Sequence, residues 1–424
     1  MAIARVLARG ASIALLASMA MLTAGCPSRE KLTAQGPYAR EVSDAIPKIE
    51  RVTGLKYKKQ PVLERRTKEQ VRAFLVKQFE DERSQTDLAA QQTLLRRLGL
   101  VAEDFDLRAL MLELYTEQIV GFYDPETKVL YVVDGAKPEE LGFVIEHELV
   151  HALQDQYTNL DSLLHIKGDD DRVLAAQSVM EGQATLVPLQ DRLGPAAEIP
   201  GGWDRVRQMV RESSSSMPKF AAAPQILQET LIFPYLSGME FMRRFDEQEP
   251  GKMPFGAAMP VSSTQIMHPG AYYGSTAEQP MSITFPELHG ATRTYENNMG
   301  EFETRLFLFQ HLKDQNASIL AAMGWAGDRY AILKTPHGDG VAWITVWRSA
   351  VDAGEFRTAM QKVFAARYPN VQATEGPQGT HLIASGRSMV LSGGDVGGHP
   401  VIMYVDVPAA DRADVLDMSK IGVK

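Results

Sequence analysis

The feature that most constrains this chain is the stretch from Pro138 to Tyr157, whose pattern predicts a helix that is apolar on nearly every face. Leu141, Val144, Ile145, Leu149, Val150 and Leu153 leave little polar side for solvent, and such a helix is buried. Yet it carries His147, Glu148 and His151, which are costly to bury unless they are paired or bound to an ion. The i, i+4 spacing stacks the two imidazoles on one face, where both reach one ion. Glu148 lies about 100° round the helix, close enough to serve a water at that ion without ligating it. Two nitrogen ligands, a third protein ligand, an open position and a carboxylate that takes a proton are what zinc-assisted hydrolysis requires. The expectation is one Zn2+ on His147 and His151, with Glu148 as general base. The competing reading is a pair of hydrogen-bonded core histidines.

The cysteine count sends any metal to the same residue types. Cys26 is the only cysteine in 424 residues, which excludes a disulfide framework, thiolate zinc sites and a CxxC redox pair. Its place is informative as well. Arg5 and Arg9 precede an uncharged run from Ala11 to Leu22, which ends in Thr23-Ala24-Gly25-Cys26. This has the form of a secretory signal, and the run falls short of the about 20 residues a spanning helix needs. Cysteine after Ala24-Gly25 resembles the lipobox of bacterial lipoproteins, with Thr23 where Leu is more usual. The expectation is a leader over 1–25, lipid attachment to the membrane at Cys26, and a place in the cell envelope facing the periplasm or exterior. Simple secretory cleavage is the alternative. A net charge of −9 gives no electrostatic case for nucleic acid as a partner.

Along the chain, residues 26–60 read as a polar tether with room for one short helix. A mainly helical domain is expected over 61–328. Its first helix starts at Thr67-Lys68-Glu69-Gln70, a sequence resembling a capping box. Short β-rich runs at 119–123 and 129–133, separated by Asp124-Pro125-Glu126-Thr127-Lys128, predict a hairpin just before the motif helix. Further helices are expected at 172–192 and 225–245, with 246–300 largely loop. Residues 329–424 read as a small α+β domain, with strands near 329–334, 341–348, 380–385, 388–392 and 400–406 and a helix at 352–367. Ser392 to Gly398 reads as a hairpin turn. The fold class is therefore α+β, mainly helical with a short sheet, plus the C-terminal domain.

The third ligand is sought next. The extended pattern HExxHxxGxxH would need Gly at 154 and His at 157, where the chain has Gln154 and Tyr157. Glu181 is the leading candidate, a lone acid among Val173, Leu174, Ala176, Val179, Met180, Leu186 and Val187. Gly182 beside it allows another element to approach closely. His165 and Asp155 are rivals, Asp155 being better placed to orient a ligand imidazole. Glu181 could also be a core acid paired with an arginine.

Three segments together resemble the gluzincin-type zinc metallopeptidases. They are Gly121-Phe122-Tyr123-Asp124-Pro125, Glu146-His147-Glu148-Leu149-Val150-His151-Ala152-Leu153-Gln154-Asp155, and Glu181-Gly182-Gln183-Ala184. More narrowly the chain resembles secreted or lipoprotein HExxH proteins of bacteria. That likeness extends to Phe233-Pro234-Tyr235, Ser262 to Pro269, Gly300-Glu301-Phe302 and Gly324 to Arg329. The resemblance implies a zincin-like fold, a metal held by His147, His151 and Glu181, and a peptide or protein substrate. Ala184 departs from it, since the best-known gluzincins carry Asp there.

For the oxyanion of such a reaction, His268 and Tyr272 stand out in a loop rich in Gly and Pro, with Tyr235 a similar candidate. Asp328-Arg329 reads as a local ion pair or helix-end device, and His311, His337, His381 and His399 as surface residues. The strand at 129–133 is expected to be the cleft edge that pairs with an extended peptide. The sequence reading is thus a lipid-anchored zinc peptidase of the envelope. Its rivals are a non-catalytic envelope lipoprotein with a structural or relict zinc site, and a zinc hydrolase of a non-peptide substrate.

Overall fold

A computed structural model describes residues 38–135, 138–193, 202–273, 278–376 and 379–424. The leader, Cys26 and residues 26–37 lie outside the described residues. Within the stretch read as a tether with room for one short helix, residues 39–53 form helix α1 (Ala39–Thr53), which packs into the core. Its Val42, Ala45, Ile46 and Ile49 follow the i, i+3, i+4, i+7 pattern of one apolar face and are buried.

Strand β1 (Val62–Arg66) is followed by α2 (Lys68–Glu80), α3 (Glu82–Arg97) and α4 (Leu107–Gln118). The capping box opens α2 as expected, with Thr67 Oγ1 accepting from Gln70 N and Gln70 Oε1 accepting from Thr67 N. The hairpin follows as β2 (Gly121–Asp124) and β3 (Val129–Val133). Its turn is held by the Asp124 carboxylate, which accepts from Glu126 N at 2.9 Å and Thr127 Oγ1 at 2.8 Å. The strand order is β1-β3-β2, with β1 parallel to β3. The expected cleft edge is thereby corrected: β3 is paired on both sides, and the outer strands are β1 and β2.

Helices α5 (Pro138–Gln154), α6 (Leu160–Leu164), α7 (Asp170–Leu193), α8 (Gly202–Ser215), α9 (Pro218–Ala222) and α10 (Gln225–Gln248) complete this half. The motif helix α5 packs against α7 and α1, and α7 packs along α10. Where α7 and α10 cross, a Cβ on Gly182 would lie 2.2 Å from the Gly238 carbonyl carbon, and one on Gly238 would lie 2.0 Å from Ser178 O. Only glycine at both positions lets the two backbones approach this closely.

The segment expected largely as loop holds α11 (Ser263–Met267), α12 (Pro269–Tyr273), β4 (Ile283–Thr284) and β5 (Thr292–Asn297). Next come α13 (Gly300–Leu312), α14 (Gln315–Ala322), β6 (Trp325–Thr335), β7 (Gly338–Trp347) and α15 (Ala350–Arg367). The chain ends with β8 (Thr374–Gly376), β9 (Gly379–Ala384), β10 (Arg387–Val396), β11 (His399–Pro408) and β12 (Gly422–Val423). Seven of these strands make an antiparallel sheet in the order β5-β6-β7-β11-β10-β9-β8. The turn expected over Ser392 to Gly398 is narrower: residues 392–396 belong to β10, and only Gly397 at φ 62° and Gly398 at φ 88° make the turn into β11.

The run Val341 to Trp347 is buried throughout because both faces of the sheet are covered. Trp343 and Trp347 pack on Phe356 of α15, while Ala342, Ile344 and Val346 face a smaller core with Ile283, Phe285 and Leu416. The first of these cores continues without a break into the N-terminal half. The boundary expected at 328/329 falls inside β6. The fold is α+β.

Candidate metal centre

Three donor atoms from α5 and α7 converge. His147 Nε2 lies 3.1 Å from His151 Nε2 and 3.2 Å from Glu181 Oε2, and His151 Nε2 lies 3.4 Å from that same oxygen. A tetrahedral zinc with bonds of about 2.0–2.1 Å needs donors about 3.3 Å apart, so the observed triangle has the size of one face of such a site. Among the described residues this is the one group of three His, Cys, Asp or Glu side chains able to hold an ion. His147, Glu148 and His151 are fully buried, and Glu181 keeps 8 % exposure.

The supporting contacts explain how the ligands are held. His151 Nδ1 lies 2.8 Å from Gln154 Oε1, and Gln154 Nε2 in turn donates to Met180 O and Gln183 Oε1 on α7, each at 3.0 Å. An amide oxygen at Nδ1 fixes the tautomer that leaves Nε2 free to ligate. Gln154 thus does what was expected of Asp155, and it ties the two ligand helices together. Asp155 instead accepts from Tyr123 Oη at 2.8 Å and Lys128 Nζ at 2.7 Å, which fastens the hairpin to the end of α5. His147 Nδ1 has only the Ala184 backbone beside it, at the position where the gluzincin pattern has Asp.

Glu148 is positioned by β2. Its Oε2 accepts from Tyr123 N at 2.8 Å, while its Oε1 is buried with no partner. Burial pushes its carboxyl up to about 8, against the lowering pull of His151 and the Tyr123 amide. Burial alone would also raise Glu181, but the His151 charge and hydrogen bonds from both histidines outweigh it and hold the carboxyl well below its usual range. Tyr235 of α10 joins the group. Its ring stacks on His147 with centroids 6.3 Å apart, and its phenol hydrogen-bonds Glu181 while burial keeps it protonated.

The other sequence candidates lie elsewhere. His268 Nε2 is 2.7 Å from Glu301 Oε1, in the first turn of α13. The buried Glu301 carboxylate captures this imidazole and raises its pKa. Tyr272 donates to Ala258 O at 2.6 Å and packs on Phe241 and Phe245. Neither reaches the metal-binding triangle. His165 turns its Nδ1 to Asp161 O at 2.6 Å. Asp328 is a helix-end device, accepting from Met299 N, Gly300 N and Trp343 Nε1 at 2.8–2.9 Å, and Arg329 pairs with Glu296. His311 is no surface residue, since it is half-buried against Leu98 O. Sequence reasoning missed Gln154 and the Tyr123 backbone. The first carried a signal, an amide three residues after His151 in an apolar helix.

A family profile described as a domain of unknown function (DUF8575) matches residues 287–396, from just before β5 to the end of β10. That span contains none of the metal-site residues. No curated protein and no solved structure matches the chain.

Proposed function

We propose that this chain is a zinc-dependent metallopeptidase with a zincin-like catalytic half, and that His147, His151 and Glu181 hold the ion. The observation that carries the reading is the donor triangle with Glu148 beside it, buried and with one oxygen unpartnered. Three donors rather than four among the described residues favour a catalytic ion, because a structural zinc is closed by a fourth ligand. A zinc ion bound there supplies Lewis acidity toward a carbonyl and lowers the pKa of water.

The protein's own residues do the rest. Tyr123 N anchors Glu148 Oε2, so Oε1 is the oxygen that takes the proton from the attacking water and returns it to the leaving amine. Tyr235, protonated and against both His147 and Glu181, is the donor nearest to where negative charge develops. An extended peptide pairs with the outer side of β2, one of the two outer strands of the small sheet and the one that also holds Glu148. Lipid attachment at Cys26 places this activity in the cell envelope.

Glu148→Gln tests the mechanism. The variant is expected to bind zinc stoichiometrically by metal analysis while losing about 10²–10⁴ in peptide hydrolysis. Full activity in that variant refutes it. Cys26→Ala is expected to move the protein from the membrane to the soluble fraction.

A further inference from the structure

A cavity of about 590 Å³ opens in the C-terminal sheet, and no metal-site residue lines it. Its apolar lining comes from Val390, Met403, Leu416 and Met418. Two polar groups in the same lining are unsatisfied. Ser392 is 9 % exposed and its Oγ has no partner. Arg357 Nε is buried without a partner, while the guanidinium end of the same side chain, 37 % exposed, pairs with Glu375 at 3.5 Å through Nη2.

A buried donor left without an acceptor costs free energy, and a guanidinium can only donate. Whatever enters this cavity and satisfies both groups must therefore present acceptors to them and an apolar body to the rest. A carboxylate does this with charge-assisted hydrogen bonds. The two acids at the cavity are already engaged, Asp414 by Arg412 and Asp417 by Ser419, and their charge disfavours a multiply charged anion such as phosphate. The volume lies within the range of small-molecule sites. All of its lining up to Gly393 falls within the stretch 287–396 that matches the family profile, and only Met403 and residues 413–418 come from beyond it.

We propose that this cavity is a binding site for a small apolar monocarboxylate, with Arg357 and Ser392 receiving the carboxylate. Such a group is supplied either by a free acyl carboxylate or by the C-terminal residue of a peptide, and the test separates the two. Full-length protein is titrated calorimetrically with octanoate and with N-acetyl-leucine, and with octanol and octylammonium as controls. Saturable binding of one carboxylate, at least about tenfold tighter than either control, is expected. Tighter octanoate assigns the acyl source, and tighter N-acetyl-leucine the peptide terminus. Arg357→Met is expected to weaken binding about tenfold or more, and Ser392→Ala several-fold. Ser392→Ala is also expected to melt no lower than the parent, because it removes a hydroxyl that has no partner. The proposal is overturned if neither carboxylate binds saturably, if octanol binds as tightly, or if the double variant keeps full affinity while remaining folded.

Discussion

Replacing Gly182 with alanine tests the crossing of α7 and α10 and the ligand beside it in one experiment. The new Cβ would stand 2.2 Å from the Gly238 carbonyl carbon, 2.4 Å from its oxygen and 2.7 Å from Met239 N. Carbon atoms settle at about 3.5 Å, so the two helices must separate by about 1.3 Å, and the obstacle is backbone that cannot rotate away. Overpacking of this kind costs about 1–3 kcal/mol, and a backbone obstacle puts it at the upper end. Alanine returns up to about 1 kcal/mol through its better helix propensity, which leaves a net loss of about 2 kcal/mol. Glu181 is the adjacent residue, and a metal site tolerates only about 0.2 Å of error in its bonds, so zinc affinity should fall at least tenfold. Urea unfolding and competition with a chromogenic chelator measure the two effects. Gly354→Ala on the exposed side of α15, with nothing within 4 Å of its Cβ, is the control and should gain about 0.5–1 kcal/mol. A Gly182→Ala protein as stable as the parent, with zinc affinity within twofold, would refute the idea that this crossing positions Glu181.

Gln154→Ala removes the amide that orients His151, and a chelator titration should show zinc affinity reduced about 10–100-fold with the ligands intact. Asp328→Ala strips Met299 N, Gly300 N and Trp343 Nε1 of their acceptor, and should cost about 3 kcal/mol in urea unfolding. Burial holds His311 at about 4, below its unfolded value of about 6.5, so the unfolded chain binds the extra proton. Stability is then expected to fall as pH drops from about 6.5 toward 4, by on the order of 2 kcal/mol, and His311→Gln should flatten that part of the curve.

The convergence of the three candidate donors was legible because their signals are local or compositional. The i, i+4 spacing of His147 and His151 survives any tertiary arrangement, and an acid alone on an apolar helix marks itself out, as Glu181 does. What orients the ligands was harder to read. Gln154 and Asp155 are neighbours that point about 100° apart on the helix, and only the position of α7 decides which of them meets His151. The strand order was hidden for a related reason. β1 pairs in parallel with β3 across more than sixty residues, so no hairpin signal reveals that β3 is central, with β1 and β2 on either side. Likewise α1 has a clear apolar period, but its polar, Lys- and Glu-bearing surface hides that this helix packs into the core. His268 and Tyr272 looked functional because of their loop, yet Glu301 and Ala258 O take up their polar atoms.

The seven-stranded sheet was expected to stand apart from the metal centre, and its contacts show why it does not. β5 forms one edge of that sheet, and its last residue, Asn297, accepts from Asp170 N, while the next, Asn298, accepts from Asp171 N, each at 3.0 Å. These are the first two amides of α7, which have no partner within the helix itself. Asp171 in turn accepts from Ser263 N at the start of α11, and Asp328 of β6 receives the first amides of α13. The sheet therefore fixes where α7 begins, and α7 carries Glu181 about three turns further on. Along that helix the Gly182 crossing sets its distance from α10, and Gln154 bridges it to α5. Two of the three candidate donors come from a helix whose pattern is self-sufficient, but Glu181 is placed by contacts reaching from α5 and α10 to the C-terminal sheet. A metal centre built in this way depends on the whole core for its geometry, so substitutions in the sheet, far from any ligand, should act on the metal through α7.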